Sequence, residues 1–226
     1  MTSHPDKNFS AVPVFTRLQT TRLVAVVTIE RPDDVPPLCR ALLAGGVSVI
    51  ECALRTPQAL EALTRIKQAF PEVLLGAGTV LTPAQADKAR EAGADFALAP
   101  GFDPETVRHC AQVALPFIPG VATASEIQAA IAQGCRWLKW FPAGPLGGVS
   151  ALRTLAAPFR HLGVKYLPLG GISIDVLKDY LAEPDVGAVG GSWIAPTELV
   201  QQRSWEEIER RASTAVARVR TEGESR

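Results

Sequence analysis

The sequence predicts an α/β protein that folds as a (β/α)8 TIM barrel, and two observations support this prediction. Short runs rich in valine, isoleucine, leucine and alanine alternate eight times with stretches of helical periodicity, a pattern typical of a parallel sheet. The chain has 226 residues, and barrels of this kind begin at about 200. A doubly wound open sheet is the alternative, but no G-x-G-x-x-G motif follows the first predicted strand.

The predicted elements follow one another in regular order along the chain. The strands are Leu23–Ile29, Val47–Leu54, Val73–Val80, Phe96–Pro100, Phe117–Val121, Trp137–Pro142, Lys165–Gly170 and Gly187–Ile194. The helices are Asp33–Ala44, Pro57–Phe70, Pro83–Ala92, Pro104–Val113, Ser125–Gln133, Val149–Ala157, Ile174–Leu181 and Trp205–Val219. We expect one barrel domain over residues 1–226, with an N-terminal extension or helix at 1–20 and a polar tail at 221–226.

Composition and charge argue against several classes of function. The 23 basic and 23 acidic side chains balance, so no net field favours nucleic acid or an anionic membrane as a partner. No apolar run reaches the ~20 residues of a membrane span, and the polar N-terminus lacks the apolar segment of a signal peptide, so we expect a cytoplasmic protein. The four cysteines form no C-x-x-C pair, and we expect no metal and no cofactor.

Lys139 lies in the middle of an apolar strand and is the first candidate catalytic residue. Strand side chains alternate between two faces, so Trp137, Lys139 and Phe141 share one face. Both faces are largely apolar, and burial between them favours the neutral amine, which is the nucleophile that forms Schiff bases. The alternative is a lysine that extends from the strand end into solvent.

Glu51 and Arg55 share one face of the second predicted strand. A carboxylate in an apolar strand needs a partner, so Glu51 is either paired structurally or catalytic, and Lys139 could meet it across the barrel. Beside an amine, it could transfer protons. Arg55 stands at the strand end, where it is either a solvated cation or a bidentate clamp for a substrate carboxylate.

Glycine pairs occur towards the ends of the last two predicted strands, Gly170-Gly171 and Gly190-Gly191, and Ser192 follows the second pair. Many barrels build a phosphate site at these positions from backbone N–H groups and a helix N-terminus. The pairs together therefore predict a site for a phosphate or a similar anion. Thr79 ends a third glycine-containing run and offers a hydroxyl group beside exposed amides.

Seven collinear motifs together resemble the bacterial 2-keto-3-deoxy-6-phosphogluconate (KDPG) aldolases, which often also act as 4-hydroxy-2-oxoglutarate (KHG) aldolases. The resemblance covers nearly the whole chain, from about Val24 to the C-terminal helix. The motifs are Gly45-Gly46-Val47 to Glu51 with Leu54-Arg55-Thr56, Gly76-Ala77-Gly78-Thr79-Val80-Leu81, Ile118-Pro119-Gly120, Lys139 with Phe141-Pro142-Ala143, Gly147-Gly148-Val149, Gly170-Gly171-Ile172, and Gly190-Gly191-Ser192-Trp193.

The resemblance implies a class I, metal-independent aldolase that is usually a homotrimer. It implies that Lys139 forms the Schiff base and that Glu51 relays protons through water. By the same resemblance, Arg55 and Thr79 hold the pyruvyl carboxylate, and Phe141 packs near the imine. The phosphate cradle that it implies consists of Gly170, Gly171, Gly190, Gly191 and Ser192. The implied partners are small molecules, namely pyruvate and a phosphorylated aldehyde.

Two departures from the family pattern concern the aldehyde half of the substrate. Leu169 occupies a substrate-packing position where the KDPG enzymes usually have threonine, and an aliphatic residue there is similar to the sister family acting on 2-keto-3-deoxy-6-phosphogalactonate. The acidic residue that often follows Pro142-Ala143 in the family is also missing. The first departure makes the phosphogalactonate aldolase an alternative. A non-catalytic phosphosugar-binding barrel and a phosphosugar isomerase on the same fold are further alternatives, because a fold alone does not prove chemistry.

Overall fold

A parallel α/β sheet forms the centre of the computed structural model, which describes residues 13–223. The strands are β1 (Leu23–Val27), β2 (Val49–Ala53), β3 (Leu74–Gly78), β4 (Phe96–Leu98), β5 (Phe117–Ile118), β6 (Gly120–Val121), β7 (Trp137–Trp140), β8 (Lys165–Pro168) and β9 (Val189–Gly191). The helices are α1 (Pro13–Thr21), α2 (Val35–Ala44), α3 (Ala59–Ala69), α4 (Pro83–Glu91), α5 (Pro104–Gln112), α6 (Ala124–Ala132), α7 (Gly148–Ala156), α8 (Leu177–Ala182), α9 (Thr197–Gln201) and α10 (Trp205–Gly223). Residues 1–12 of the predicted extension and 224–226 of the predicted tail lie outside the described residues.

The fifth predicted strand is interrupted in the structure. Six strands pair in the order β5-β4-β3-β2-β1-β9, and three pair in the order β6-β7-β8. Pro119 separates β5 from β6, and proline breaks a ladder because it has no N–H to donate. The predicted strand Phe117–Val121 therefore contributes its first half to one sheet and its second half to the other, which joins the two.

The two sheets also approach each other beside β8 and β9. Tyr166 of β8 forms an isolated parallel bridge with Val186, just before β9. The Tyr166 N–H donates to the Asp185 carbonyl at 2.8 Å, and the Gly187 N–H donates to the Tyr166 carbonyl at 3.0 Å. The sheet is thus a curled parallel α/β sheet, which confirms the α/β class and the parallel sheet of the prediction.

The two faces of the curled sheet pack against different groups of side chains. The inner cluster contains Phe15, Leu18, Val24, Val49, Leu74, Phe96, Leu98, Ile118, Trp137, Leu167, Leu169 and Ala188. Leu138 and Trp140 belong instead to the larger cluster between the sheet and the helices. The predicted alternation along β7 is confirmed, and Lys139 lies on the inner face with Trp137.

Helix α1 covers the amino-terminal ends of the strands. Phe15 is buried and its ring stacks on Trp137, with centroids 5.5 Å apart and an angle of 11° between the planes. The Arg17 guanidinium donates to the carbonyl of Glu72, just before β3. Because this end is closed by a helix, the carboxyl-terminal ends of the strands are the open end of the curled sheet.

Two short elements of the described residues have no counterpart in the sequence prediction. One is a 3-10 helix at Ala157–Leu162, which continues the chain past the predicted helix end at Ala157. The other is the five-residue helix α9, which lies between β9 and α10. It is too short to show an apolar period in the sequence. Within residues 13–223, none of the helices combines the length and the apolar character that crossing a bilayer requires.

Candidate active site

Lys139 and Glu51 meet inside the curled sheet. Lys139 comes from β7 and Glu51 from β2, and the Nζ to Oε1 distance is 3.2 Å. The two side chains are only 6% and 2% exposed. A buried ion pair is costly to assemble and gains little stability over an apolar pair of the same shape. The pair that the sequence predicted across the barrel is therefore present, and its energetic cost favours a functional role.

The second carboxylate oxygen of Glu51 is buried without a partner. Oε2 accepts no hydrogen bond from any group within residues 13–223. Leaving such an acceptor unsatisfied costs roughly 1–3 kcal/mol or more for a charged group. An oxygen of this kind is available to a water molecule or to a substrate hydroxyl.

Gly78 makes room for the Glu51 carboxylate. It pairs with Ala53 at the end of β3, and a Cβ atom built there would lie 2.3 Å from Glu51 Oε1 and 2.8 Å from Glu51 Cγ. No real side chain fits at these distances. The glycine that the sequence presents directly before Thr79 is thus required by the approach of the carboxylate, a reason that local pattern does not reveal.

Two apolar side chains stand near the ends of β7 and β8. The ring centroid of Phe141 lies 5.2 Å from Lys139 Nζ, within the range of a cation–π contact. Leu169 is buried on the inner face, and its Cδ2 atom would be 3.1 Å from a Cβ atom built at Gly190. Both predicted packing residues therefore lie on the carboxyl-terminal side of the sheet, and Phe141 lies beside the lysine.

Arg55 and Thr79 lie just beyond the ends of the neighbouring strands β2 and β3. Arg55 is exposed, and its Nη2 donates to the hydroxyl of Thr28 at 2.8 Å. Thr79 has a φ of +62°, a left-handed conformation that costs a β-branched residue about 1–3 kcal/mol. Strain of this kind persists where the surroundings fix the backbone, and it commonly occurs at binding sites.

Thr28 is a polar residue of this end of the sheet that the sequence reasoning missed. It directly follows β1, and it is half-buried. The only available signal was a hydroxyl residue at a strand end, which is too common to be specific. Its partner Arg55 is 27 residues away, so the contact depends on the parallel pairing of β1 with β2.

The predicted glycine pairs follow β8 and end β9. Gly170 and Gly171 have φ values of +87° and +74°, and within the described part of the chain their N–H groups donate no hydrogen bond to a backbone carbonyl. Gly144 N–H donates to the Gly170 carbonyl at 2.8 Å, which ties this turn to the loop after β7. Two unused amides in a left-handed turn can bind an anion.

The second pair, Gly190-Gly191, lies close to neighbouring side chains. A Cβ atom at Gly191 would lie 2.4 Å from Trp193 Cδ1, so glycine is required there by the packing of the indole. Gly190 faces the inner side of the sheet and lies close to Leu169. Ser192 is exposed directly after β9, at the open end of the sheet.

The cysteines are separated from this site by their burial on the helix side of the sheet. No group of three or more metal-ligating side chains occurs within residues 13–223. Burial raises the pKa of Cys39, Cys52, Cys110 and Cys135 from an ordinary value of 9.0 to about 12. Cys110 and Cys135 line an apolar cavity of about 260 Å³ near the amino-terminal ends of β5 and β7, remote from Lys139.

The raised pKa values predict slow alkylation of the native protein. The thiolate is the reactive form, and a pKa of about 12 lowers its population at pH 8 about 10³-fold relative to 9.0. Iodoacetamide at pH 8, followed by intact-mass analysis, should modify none of the four cysteines within minutes, but all four after denaturation in urea. Rapid modification of the native chain would contradict the burial described.

The same shifts have a consequence for stability. The folded chain keeps these thiol protons at pH values where the unfolded chain has lost them. The free energy of unfolding should therefore fall as the pH rises from about 9 towards 12.

The comparisons with known proteins agree on one family. The family model described as "Aldolase: KDPG and KHG aldolase" matches residues 14–211. The 2-dehydro-3-deoxy-phosphogluconate aldolase of Treponema pallidum is 43% identical over 197 residues, which cover 87% of this chain and 93% of that protein.

Solved structures show the same similarity. A KDPG aldolase from Legionella pneumophila, with pyruvate captured at low pH as a covalent carbinolamine intermediate, has a TM-score of 0.86 and 37% identity, covering 90% of this chain and 98% of that one. The Zymomonas mobilis 2-keto-3-deoxy-6-phosphogluconate aldolase with 3-phosphoglycerate has a TM-score of 0.83 and 35% identity, with coverages of 91% and 95%.

Proposed function

The chain belongs to the KDPG and KHG aldolase family and is an aldolase, and from this we propose that it cleaves 2-keto-3-deoxy-6-phosphogluconate to pyruvate and glyceraldehyde 3-phosphate through a Schiff base on Lys139. The observation that carries the proposal is the buried pair of Lys139 and Glu51, 3.2 Å apart. A lysine and a carboxylate in this arrangement supply both the nucleophile and the proton carrier that the reaction needs.

Formation of the Schiff base begins with a proton transfer within the pair. Glu51 takes a proton from the Lys139 ammonium, and the neutral amine attacks the ketone carbon of the substrate. The carbinolamine then loses its hydroxyl group as water, with a proton returned by Glu51 directly or through a water molecule. The product is a protonated imine, which draws electrons from the adjacent C3–C4 bond.

Cleavage uses the same carboxylate again, first as a base and then as an acid. Glu51 takes the proton of the C4 hydroxyl, the C3–C4 bond breaks, and its electron pair moves to the imine to give an enamine. The aldehyde leaves. Glu51 then protonates the enamine at C3, and water hydrolyses the imine to release pyruvate and Lys139. The buried, unpartnered Oε2 supports Glu51 as the group that reaches the substrate.

The carboxylate of the pyruvyl half is proposed to bind Arg55 and Thr79. A guanidinium can bind a carboxylate through two parallel N–H donors, and Thr79 adds a hydroxyl group at the end of the adjacent strand. The Phe141 ring, near Lys139 Nζ, is proposed to pack against the imine and to keep water from it. These roles agree with those implied by the resemblance of the motifs.

The phosphate group is proposed to bind the cradle formed by Gly170, Gly171, Gly190, Gly191 and Ser192. The two amides of the left-handed turn and the Ser192 hydroxyl support this assignment. Gly190 and Gly191 contribute small size, which is also needed for the packing of Leu169 and Trp193.

A comparison of substrates tests the phosphate assignment. Ser192→Ala should raise KM for KDPG roughly 10-fold, because a hydrogen bond to a charged group is lost, and should leave KM for the unphosphorylated KHG unchanged. Release of pyruvate can be followed with lactate dehydrogenase and NADH for both substrates. An equal change for KDPG and KHG would remove Ser192 from the phosphate site.

A second candidate substrate is favoured by Leu169. Its aliphatic side chain is buried on the inner face near Gly190, so it offers no hydroxyl to the substrate. The sister substrate 2-keto-3-deoxy-6-phosphogalactonate differs from KDPG in hydroxyl stereochemistry, and Leu169→Thr should increase the preference for KDPG about 3- to 10-fold. If the ratio of kcat/KM for the two epimers is unchanged by this substitution, Leu169 does not discriminate between them.

Gly78 offers a test of the Glu51 position without changing a catalytic group. In Gly78→Ala, the new methyl group would overlap the carboxylate and displace it, so we expect kcat to fall about 10²-fold or more and stability to fall by about 1–3 kcal/mol. Gly101→Ala is the matched control, since a Cβ atom there meets nothing within 4 Å. Full activity of Gly78→Ala would show that the Glu51 geometry is not required.

The remaining features of the assembly are proposals that rest on the family. We propose that the curled sheet closes as a complete (β/α)8 barrel and that residues 1–226 form one domain. The interrupted strand β5 and β6, together with the hydrogen bonds between Tyr166 and the segment before β9, supports closure. We also propose that the protein is a homotrimer and that it lies in the cytoplasm. Its partners would be small molecules and not nucleic acid or membranes. Equilibrium sedimentation tests the trimer.

A further inference from the structure

Arg55 is anchored by a residue of a different strand end. Its Nη2 donates to Thr28 Oγ1 at 2.8 Å. A second hydrogen bond runs between the same two loops, from the Thr56 hydroxyl to the Ile29 carbonyl at 2.6 Å. The loops after β1 and β2 are therefore tied together by two consecutive pairs of residues, and Arg55 forms one of the ties.

The loop that carries Thr28 is itself held by buried charge. Asp34 is 3% exposed, and its two oxygens accept hydrogen bonds from Arg31 Nε at 2.8 Å and from Arg203 Nε at 3.0 Å. Arg203 lies between α9 and α10, so the Asp34 carboxylate connects the loop after β1 to the segment between these two helices. The loop that carries Thr28 is thus held in place by the hydrogen bonds of Asp34.

The contact with Thr28 leaves most of the guanidinium donors unused. A guanidinium has five N–H groups, and the Thr28 hydroxyl oxygen accepts one of them. Within residues 13–223, Arg55 has no carboxylate within ion-pair distance. An exposed arginine would otherwise sample many rotamers, and holding it in one orientation reduces the entropy lost when an anion binds.

We propose that Thr28 is a positioning residue, which orients Arg55 so that its remaining N–H donors face the carboxylate of the pyruvyl substrate. This proposal rests on the proposed function, in which Arg55 binds that carboxylate. Thr28 acts through binding and not through the chemical step, since the side-chain hydrogen bond that it forms within residues 13–223 is to Arg55 and not to Lys139 or Glu51.

Three variants in the loops after β1 and β2 test the proposal. Thr28→Val keeps the shape and removes the acceptor, and it should raise KM for KDPG and for KHG about 5- to 10-fold with kcat within about 2-fold. Thr28→Ser keeps the hydroxyl and should restore KM to within about 2-fold. Thr56→Val is the matched control, because it removes the other loop contact without touching Arg55, and its KM should stay within about 2-fold.

A double-mutant cycle identifies the route of the effect. In the Arg55→Met background, Thr28→Val should change KM no further, because its partner is gone. Three results would each overturn the role of Thr28 while leaving that of Arg55 intact. The first is a full additional rise of KM in the Arg55→Met background, and the second is an equal rise of KM in Thr56→Val. The third is an unchanged KM in Thr28→Val when KM is raised in Arg55→Met. An unchanged KM in Arg55→Met alone would instead reject the proposed carboxylate site, and the role of Thr28 with it.

Discussion

The Lys139→Met variant should lose cleavage of KDPG by about 10⁴-fold or more, the largest effect of any single substitution. Methionine fills a similar volume but has no amine, so neither the carbinolamine nor the imine can form. Pyruvate release, coupled to lactate dehydrogenase, measures the loss over this range when the enzyme concentration is raised. Circular dichroism and thermal unfolding establish that the variant is folded.

Two further variants separate loss of chemistry from loss of structure. Removing one member of a buried ion pair leaves the other uncompensated, so Lys139→Met alone should also be less stable. The double variant Lys139→Met with Glu51→Gln removes both charges and should recover stability while remaining inactive. Lys165→Met is the matched control on the neighbouring strand, where the ammonium bonds to the Pro184 carbonyl, and it should keep activity. Turnover by a folded Lys139→Met above about 1% of wild type would exclude the Schiff base on this residue.

The Glu51→Gln variant should lower kcat roughly 10²- to 10⁴-fold, the range expected when a general acid and base is removed. Glutamine keeps the size and the hydrogen bond to Lys139 but cannot carry the proton from the C4 hydroxyl to C3. KM should change little, since Glu51 is not assigned to the binding of either end of the substrate. Steady-state kinetics with KDPG give both constants.

The control for Glu51→Gln is a carboxylate of the surface. Glu61 on α3 pairs with Arg65 at 2.8 Å, and its side chain is 54% exposed, so Glu61→Gln should be fully active. Borohydride trapping with pyruvate should still proceed in Glu51→Gln, but more slowly than in wild type. A kcat within about 5-fold of wild type would assign proton transfer to another group and leave Glu51 as a structural partner of the lysine.

The sequence was informative where periodicity governs the structure. Because a strand alternates its side chains with a period of two, the residues that share a face with Lys139 and with Glu51 could be predicted from their spacing. The order of strands and helices then indicated that both residues lie in one parallel sheet. A contact between Lys139 and Glu51 could therefore be predicted, but the distance between them could not. The glycine pair after β8 was likewise predictable from its place near the end of the chain.

What could not be predicted depends on the three-dimensional arrangement, in two cases on contacts between segments far apart in the sequence. The bond from Arg55 to Thr28 exists because β1 and β2 are paired in one register, and that register cannot be derived from either strand alone. The need for Gly78 arises from a carboxylate 27 positions earlier, and the need for Gly191 from the direction of one indole ring. The break at Pro119 is a local exception within a run whose composition is that of a continuous strand.

Reduction with borohydride in the presence of pyruvate tests the central claim most directly. The expected result is one pyruvyl-derived secondary amine per chain, found after tryptic digestion in the peptide 137–153, because trypsin does not cut after the modified Lys139. Borohydride without pyruvate, and Lys139→Met with pyruvate, should give no adduct. A folded wild-type protein that gains no adduct, or gains it on a different lysine, would contradict the assignment of Lys139 as the Schiff-base residue.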